Sequence, residues 1–384
     1  MTIELNKVQK QIKKAVVDFV KGEFKKELID EIVLENKYPI NAWKKSSELG
    51  FPGISFSEKY DGEGLGQFEK VLIAEELCRG DASVGACIVN SSYGAEILDF
   101  YGNEIQKNTW LPKVANSEIL ISVAAAEEDE NIQAQPIETV AIRDGENWVI
   151  NGKKTLALNA GNLTGIYVVL CRTNLNHSEM EKCLSMILVE ADRPGIRLMD
   201  REPRIGYRQL PISNVEFQSV RVPLNNLIGA ENNGFSQYCG FLNYARLNIA
   251  AQALGIAQGA FDRSFAYVKQ REQFKKKIVE FQVTRYKLAD MTTEIEASRL
   301  LTYHAALALD KGNIDSKLCA MAKLHAARTS VAVCDEAIQL HGGYGYIQEY
   351  EVERFFRDAK TVDILMGNRN EQKNIISDAL IARR

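Results

Sequence analysis

The segment near the C-terminus contains carboxylates that could exchange protons with a substrate. It reads RFFRDAKTVDILMGNRNEQKNII, residues 354–376, and it places Asp363 and Glu371 on either side of Met366. Asp363 precedes Met366 by three residues and shares its helical face if a helix extends that far. A carboxylate in a cleft can act as a general base, although most carboxylates are solvated surface groups. The thioether of Met366 takes no proton at neutral pH, so proton transfer here depends on the two carboxylates.

Other residues have the chemistry of a phosphate site. Arg271 carries the charge and the fork geometry that suit a diphosphate. The pair Gly342 and Gly343 would let the backbone approach a ligand closely. Each feature also has an ordinary interpretation, since a glycine pair can simply break a helix and an isolated Arg is most often a solvated surface residue.

Histidines and cysteines indicate neither a metal centre nor a disulfide framework. His304, His325 and His341 lie in helical segments without the spacing of metal ligands. The seven cysteines are scattered, odd in number and free of any C-x-x-C motif. That usage favours a reducing cytosol over a zinc site or an oxidising compartment. We therefore expect no bound metal.

Composition is that of a soluble globular protein. The 384 residues suffice for two or three domains, with 46% hydrophobic and 26% charged residues. Both signs of charge are mixed throughout a net charge of −4, which does not indicate a nucleic-acid partner. The N-terminus is too charged for a signal peptide, and no uncharged apolar run is long enough to span a membrane. We expect a cytoplasmic protein.

Hydrophobic periodicity divides the chain into three parts that must position these residues. Residues 1–118 have mostly helical spacing. Residues 119–233 contain short runs rich in β-branched residues bounded by turns, which is typical of a β domain. Residues 234–384 return to a helical period without any proline, as a helical bundle permits. The predicted bundle helices are 235–269, 279–311, 315–340 and 351–382.

Several segments together resemble the acyl-CoA dehydrogenase family along nearly the whole chain. They are ELGFPGISFSEKYDGEGLG, EELCRGDASVG, IRDGENWVINGKKTLALNAG, REQFKKKIVEFQVTRYKLADM and AIQLHGGYGYIQEYEVERFFRDAK. The resemblance implies an α+β fold with an N-terminal helical domain, a middle β domain and a C-terminal four-helix bundle. It also implies assembly into a dimer of dimers.

The family's chemistry sets the expected cofactor and partners. A carboxylate removes the α-proton of an acyl-CoA thioester, the β-hydride passes to FAD, and an electron-transfer flavoprotein takes the electrons. By resemblance this chain is an oxidoreductase that acts on CH–CH groups of an acyl-CoA or acyl-carrier-protein thioester.

Both family positions for the catalytic carboxylate hold other residues. The loop that reads Y-E-G-T in the family places Met366 at the base position here. The alternative base, in L-D-x-E-R on the first bundle helix, corresponds to Ala245. Asp363 and Glu371 are the nearest substitutes, but a solvated role is the commoner one for such residues. We therefore expect this chain's own site to be impaired.

Residues expected around the flavin ring and the thioester have also diverged. Ala126 lacks the hydroxyl expected at the flavin's pyrimidine edge, and Ile132 replaces a serine expected near CoA. Leu156 and Leu158 replace the Trp and the Thr of the wall that covers the flavin. Family positions that would still contact the substrate are Asn243, Arg246 and Gly367.

Residues expected to reach the ADP half of a neighbouring subunit's flavin are mostly retained. The resemblance assigns cofactor contacts to Arg271, Phe274, Gln282, Gln339, Gly342 and Gly343, and in the last loop and helix to Asn368 and Gln372.

This asymmetry favours one hypothesis and leaves two alternatives open. In the favoured one, the chain is the base-less subunit of a hetero-oligomeric dehydrogenase, a tetramer with a paralogous subunit that shares FAD. In the second it is a homotetrameric flavoenzyme with altered chemistry, such as enoyl reduction, elimination or oxidation of an acidic substrate. In the third it is a flavin-free scaffold. The acyl group is not indicated by the sequence.

Overall fold

The computed structural model of the chain describes residues 4–128, 137–177, 179–199 and 203–382. An N-terminal helical region leads into a sheet, and a helical bundle follows, which confirms the predicted α+β fold. The N-terminal helices are α1 (Lys7–Glu23), α2 (Lys26–Glu35), α3 (Ile40–Ser47), α4 (Gln67–Gly80), α5 (Ala82–Asn90), α6 (Ala95–Tyr101) and α7 (Glu104–Ala115).

One eight-stranded sheet forms the middle of the chain. Its strands are β1 (Leu120–Ala124), β2 (Val140–Asp144), β3 (Asn147–Leu158), β4 (Thr164–Arg172), β5 (Leu184–Glu190), β6 (Ile196–Leu198), β7 (Ile212–Pro223) and β8 (Leu227–Ile228). The order is β6-β7-β3-β2-β4-β5-β8, and β1 pairs in parallel with β4. One face packs against the helices, while Trp148, Tyr167 and Phe217 form a separate core on the other face.

Five helices form the bundle, and the first three of them are the longest in the described part of the chain. They are α8 (Gly234–Gln270), α9 (Gln282–Asp310), α10 (Ser316–His341), α11 (Val352–Ile364) and α12 (Arg369–Ile381), with a small hairpin of β9 (Glu272–Gln273) and β10 (Lys276–Lys277) between α8 and α9. The prediction of one helix over 351–382 is wrong. Met366 and Gly367 adopt φ of +57° and +94°, which an α-helix cannot accommodate, so the segment divides into α11 and α12.

Buried polar groups join α11 to the rest of the molecule. Arg354 donates to Asp81, the N-cap of α5, at 2.8 Å. Asp358 accepts the Ser83 hydroxyl at 2.6 Å and the Tyr207 backbone N–H at 2.7 Å. The helix that leads to the predicted catalytic loop is therefore tied to the N-terminal helices and to the segment before β7.

The Asp358 carboxyl is expected to make the free energy of unfolding depend on pH. Burial raises the pKa of its carboxyl to about 6, whereas an unfolded Asp titrates near pH 4. The native state therefore binds more protons between about pH 4 and 6, so the stabilisation is full below that window and is lost as the pH rises through 6. The change amounts to about 3 kcal/mol.

Denaturant unfolding of the wild-type protein and Asp358→Asn from pH 4 to 7 measures this effect. The stability of the variant relative to the wild type should rise with pH across the window, because Asn cannot ionise. A difference that stays constant with pH would contradict the assignment.

Candidate functional site

The loop between α11 and α12 consists of Leu365, Met366, Gly367 and Asn368, and its geometry is closely defined. Asn368 caps α12, since its side-chain oxygen accepts the backbone N–H of Glu371 at 3.2 Å. The Glu371 carboxylate in turn accepts the Asn368 N–H at 2.7 Å. This capping box fixes the point at which the chain re-enters a helix.

Two buried side chains donate hydrogen bonds to backbone carbonyl groups in and beside this loop. Lys323 on α10 donates to the carbonyl of Asp363 at 3.0 Å and to that of Gly367 at 2.7 Å. Gln372 donates to the carbonyls of Met366 and Gly367 at 3.0 and 3.1 Å. Burial lowers the pKa of Lys323 to about 8, although the Asp363 carboxylate acts in the opposite direction. Sequence reasoning missed Lys323, because its partners are backbone atoms at least 40 residues away.

The sulfur of Met366 contacts a tyrosine hydroxyl. The Tyr93 hydroxyl donates to Met366 Sδ at 3.0 Å, and the Tyr93 ring packs edge-on against Phe241 with centroids 5.1 Å apart. Burial raises the pKa of Tyr93 well above its usual value, so the hydroxyl stays protonated at neutral pH. It donates a hydrogen bond in this position, but it cannot serve as a base.

A cavity of about 300 Å³ lies between the sheet and the bundle, with this loop on one side. Eight of the predicted site residues are among the described residues that line it: Ala126, Leu156, Leu158, Arg246, Met366, Gly367, Asn368 and Glu371. The structure thus brings most of the predicted ring-side and thioester-side positions together.

The two predicted substitute carboxylates are both engaged in structural contacts. Asp363 is buried and accepts Lys360 at 2.9 Å and Arg369 at 2.8 Å. Burial alone would raise the pKa of Asp363, but the bonds from Arg369 and Lys360 lower it overall. Glu371 reaches the cavity, yet one of its oxygens holds the Asn368 N–H. Asp363 is therefore occupied through both of its oxygens, and Glu371 through one.

On α8, the alternative base position lies in the core. Ala245 is buried and does not line the cavity, whereas Leu242 and Arg246 of the same helix are among the residues that do. The Asn243 side chain turns back along the helix to the Cys239 carbonyl at 3.3 Å, so the predicted substrate contact of Asn243 is not supported. Arg246 is the member of the predicted substrate set on this helix that reaches the cavity.

On the sheet side of the cavity, Ala126 and Leu158 lack the hydroxyls that the family resemblance implies, but Thr155 carries one. Leu158 is buried, and Leu156 adopts a φ of +48° with its N–H bound to Asn214 at 2.9 Å. Thr155, which sequence reasoning did not select, also lines the cavity, and its N–H binds the Ala126 carbonyl at 2.9 Å. The predicted contact Ile132 lies outside the described residues.

A second, larger groove of about 780 Å³ opens at the junction of α8, α9 and α10. Arg271, Gln339, Gly342 and Gly343 line it, as the phosphate-site prediction requires. Phe274 and Gln282 do not line it, because Phe274 projects outward with 87% of its surface exposed and Gln282 donates to Tyr286. Their assignment to the flavin of a neighbouring subunit stays a prediction.

The groove has the features of an anion site. The Arg271 guanidinium lies 5.4 Å from the Tyr344 ring centroid, and within the described ranges no carboxylate pairs with it. A Cβ on Gly342 or Gly343 would meet no described atom within 4 Å. Packing inside this chain therefore does not require Gly343, whereas a ligand brought close to the backbone would. These residues fit the diphosphate and ADP half of a dinucleotide such as FAD.

Two other kinds of site are not observed in the described part of the chain. No cluster of three or more His, Cys, Asp or Glu side chains is placed to hold a metal ion there. Within the same residues, no helix combines the length and the apolar character needed to cross a membrane.

Comparison with known proteins finds the same family along nearly the whole chain. Three family profiles match: acyl-CoA dehydrogenase N-terminal domain at residues 6–118, middle domain at 122–220 and C-terminal domain at 232–381. The chain is 36% identical to the probable acyl-CoA dehydrogenase YngJ of Bacillus subtilis, over 99% of this chain and 100% of that protein.

Two further relatives extend the comparison. The caffeyl-CoA reductase-Etf complex subunit CarC of Acetobacterium woodii is 33% identical, over 97% of this chain and 98% of that protein. The structure of butyryl-CoA dehydrogenase from Megasphaera elsdenii superimposes with a TM-score of 0.93 at 31% identity, over 99% of this chain and 100% of that one.

Proposed function

From the premise that this chain belongs to the acyl-CoA dehydrogenase family, whose cofactor is FAD, we propose that it is the base-less subunit of a hetero-oligomeric dehydrogenase. Its partner would be a paralogous subunit that holds the base and the flavin ring. The observation that supports this most is the contrast between the two sites. Met366 occupies the base position in the inner cavity, while Arg271 and the two glycines leave the outer groove open.

At the base position of the inner cavity, the described residues do not include a side chain suited to start dehydrogenation. Bound FAD would supply the acceptor for the β-hydride, but the α-proton of a thioester must first have a base. The Met366 sulfur takes no proton, and Tyr93 is already protonated. General acid–base help is worth roughly two to four powers of ten, and neither of these two side chains can act as the base.

The outer groove supplies what a partner's cofactor would need. The Arg271 guanidinium can form charge-assisted hydrogen bonds to a diphosphate. Gln339 lies beside it on α10, and the open backbone at Gly342 and Gly343 allows an adenosine group to approach. In this role the chain completes the ADP site of the flavin that the paralogous subunit holds, so FAD is shared between them.

The remaining partners follow from the same assignment. The substrate is an acyl-CoA or acyl-carrier-protein thioester, and the assembly is a tetramer in the cytoplasm. An electron-transfer flavoprotein accepts the electrons, in keeping with the name of the CarC relative, which places that protein in a complex with such a flavoprotein.

A second candidate is a homotetrameric flavoenzyme that reduces an enoyl thioester. The specific observation in its favour is the Tyr93 hydroxyl, which is protonated and within 3.0 Å of the Met366 sulfur. Reduction delivers a proton to the α-carbon, and this direction needs an acid where dehydrogenation needs a base. A flavin-free scaffold, the third alternative, has no role for the unpaired Arg271.

Flavin stoichiometry separates the three candidates. The proposed subunit should be colourless or insoluble when purified alone, and it should yield one flavin per two chains when co-purified with its paralogue. One flavin per chain in the isolated protein would instead establish the homotetramer. Absence of flavin with every paralogue of the same cell would leave only the scaffold.

A further inference from the structure

The hairpin between α8 and α9 has a tight turn made of residues that such turns normally avoid. β9 and β10 pair through Gln273 and Lys276, so the turn consists of Phe274 and Lys275 alone. These two residues adopt φ of +51° and +63°. Two-residue turns with positive φ at both positions are normally built from Asn, Asp or Gly, because a bulky side chain is strained there. Backbone strain of this kind is concentrated at binding and switch regions.

The hairpin also carries positive charge that this chain leaves unpaired. Lys275, Lys276 and Lys277 are all exposed, and within the described residues none of them forms an ion pair. Lys277 lies directly opposite Glu272, so the two side chains share one face of the ribbon and an opposite charge is close to Lys277. Lys276 lies opposite the uncharged Gln273, and Lys275 is at the tip. The charges without a counterpart are therefore those of Lys275 and Lys276.

The groove beside the hairpin does not supply that counterpart. Gln273 lines the groove, and Lys276 shares the ribbon face of Gln273. Among the described residues, the groove lining contains two cations and no carboxylate. Lys287 pairs with Glu336, whereas Arg271 has no carboxylate partner there. The hairpin and the groove thus form one continuous patch with an excess of positive charge.

The hairpin is held in a fixed position at its base. The Ile278 N–H donates to the Arg271 carbonyl at 2.9 Å, and the Ile278 side chain packs against the core. At the other end, the Phe274 ring is exposed between the strands' ends. Exposed aromatic side chains on a preorganised element are typical of protein interfaces, because little freedom is lost when they become buried.

A second copy of this chain is a poor partner for this patch. In a symmetric dimer contact, the same patch of both chains meets itself. Such a contact through the hairpin and the groove would bring Arg271, Lys275 and Lys276 close to the same residues of the copy, and like charges in an interface are unfavourable. The patch therefore favours a chain of different sequence that carries carboxylates at the contact.

We propose that the tip of the hairpin, Phe274 to Lys276, docks against carboxylates of the paralogous subunit, and that this charge pairing selects the paralogue over a second copy of this chain. The inference rests on the proposed hetero-oligomer and specifies the surface of its other subunit: an acidic patch around an apolar recess that takes the Phe274 ring. An anionic lipid surface would offer the same charge. However, one aromatic side chain gives a membrane little apolar area, whereas membrane-surface binding normally uses a whole amphipathic helix.

Cross-linking tests the contact directly. A carbodiimide joins a lysine amine to a carboxylate that lies in contact with it, and mass spectrometry locates the linked peptides. In complexes of the full chain with each paralogous acyl-CoA dehydrogenase subunit of the same cell, we expect links from Lys275 or Lys276 to an Asp or Glu of one paralogue. Links to a second copy of this chain instead, or a complex that forms without such links, would overturn the inference and leave the hetero-oligomer standing.

The dissociation constant of the co-purified complex gives a second readout. Lys275→Asn removes the charge and suits the positive φ, so the turn is kept. Combined with Lys276→Gln, it should weaken the complex roughly ten-fold at low salt, and the difference should fade as salt screens the charges. Lys277→Gln is the matched control, because Lys277 already lies opposite Glu272. It should stay within about two-fold of the wild type.

Three results would count against the proposal. An unchanged dissociation constant in the double variant, or an equal loss in Lys277→Gln, would refute the role of Lys275 and Lys276. Co-sedimentation of the complex with phosphatidylserine–phosphatidylcholine vesicles, abolished in the double variant, would assign the patch to a membrane instead. Failure of every paralogue to associate with this chain would overturn the hetero-oligomer and this inference together.

Discussion

Flavin bound to this chain is expected to stay oxidised when FAD is supplied and butyryl-, octanoyl- or palmitoyl-CoA is mixed in without oxygen. The reason is the pair of substitutions at Met366 and Ala245, which removes the proton acceptor from both family positions. The loss should amount to two to four powers of ten in the rate of flavin bleaching relative to a carboxylate-bearing relative, about the value of general base catalysis. Stopped-flow absorbance of the flavin band measures it.

Met366→Glu is the companion variant for this experiment. It supplies a carboxylate at the base position, next to the Tyr93 hydroxyl, but it does not restore the hydroxyls absent at Ala126 and Leu158. We expect the variant to stay within a few-fold of the wild type. Rapid bleaching by the wild type would contradict the impaired site, and a many-fold gain in the variant would show an intact flavin site and favour the homotetramer.

Arg271→Ala is expected to remove most of the flavin from the co-purified hetero-oligomer while assembly is preserved. Hydrogen bonds between a guanidinium and a phosphate are roughly twice as strong as neutral ones, and Arg271 is the described groove residue with an unpaired charge. Flavin absorbance per protein, with size-exclusion chromatography to verify assembly, gives the result.

Arg221→Ala provides the matched control for Arg271→Ala. Arg221 is an exposed arginine on the sheet that pairs with Asp144 at 2.7 Å, far along the chain from the groove residues. Its loss should leave the flavin content unchanged, because exposed substitutions typically shift stability by no more than about half a kcal/mol. Unchanged flavin in Arg271→Ala as well would remove the main support for the shared cofactor.

Local patterning could predict the parts of the fold that depend on the hydrophobic periodicity of the sequence. The change from a helical to a strand period near residue 119 and back near 234 reflects which side chains each element buries, so the fold class followed from it. The break at Met366 and Gly367 was missed in the helix prediction because Met gives no local signal for a positive φ. Its conformation is stabilised by Lys323, which is distant in sequence.

Site residues could be predicted where a local motif contains them. They could not be predicted where their position depends on a contact between residues distant in sequence. Arg271 and Gly343 lie in the groove as the motif implied. Phe274 projects outward with most of its surface exposed, and no local pattern in its segment indicated that orientation. The bond from Tyr93 to Met366 joins residues 273 positions apart, and no pattern within either segment encodes it.

The way in which the loop between α11 and α12 is supported bears on how a catalytic residue can be lost in evolution. Lys323 and Gln372 bind carbonyl oxygens, which every amino acid possesses, so they do not distinguish Met366 from a glutamate. A substitution at this position therefore leaves these backbone hydrogen bonds in place. A duplicated copy of such a gene could lose its catalytic base in one substitution. It could still be retained for the surface that it contributes to a paralogous subunit.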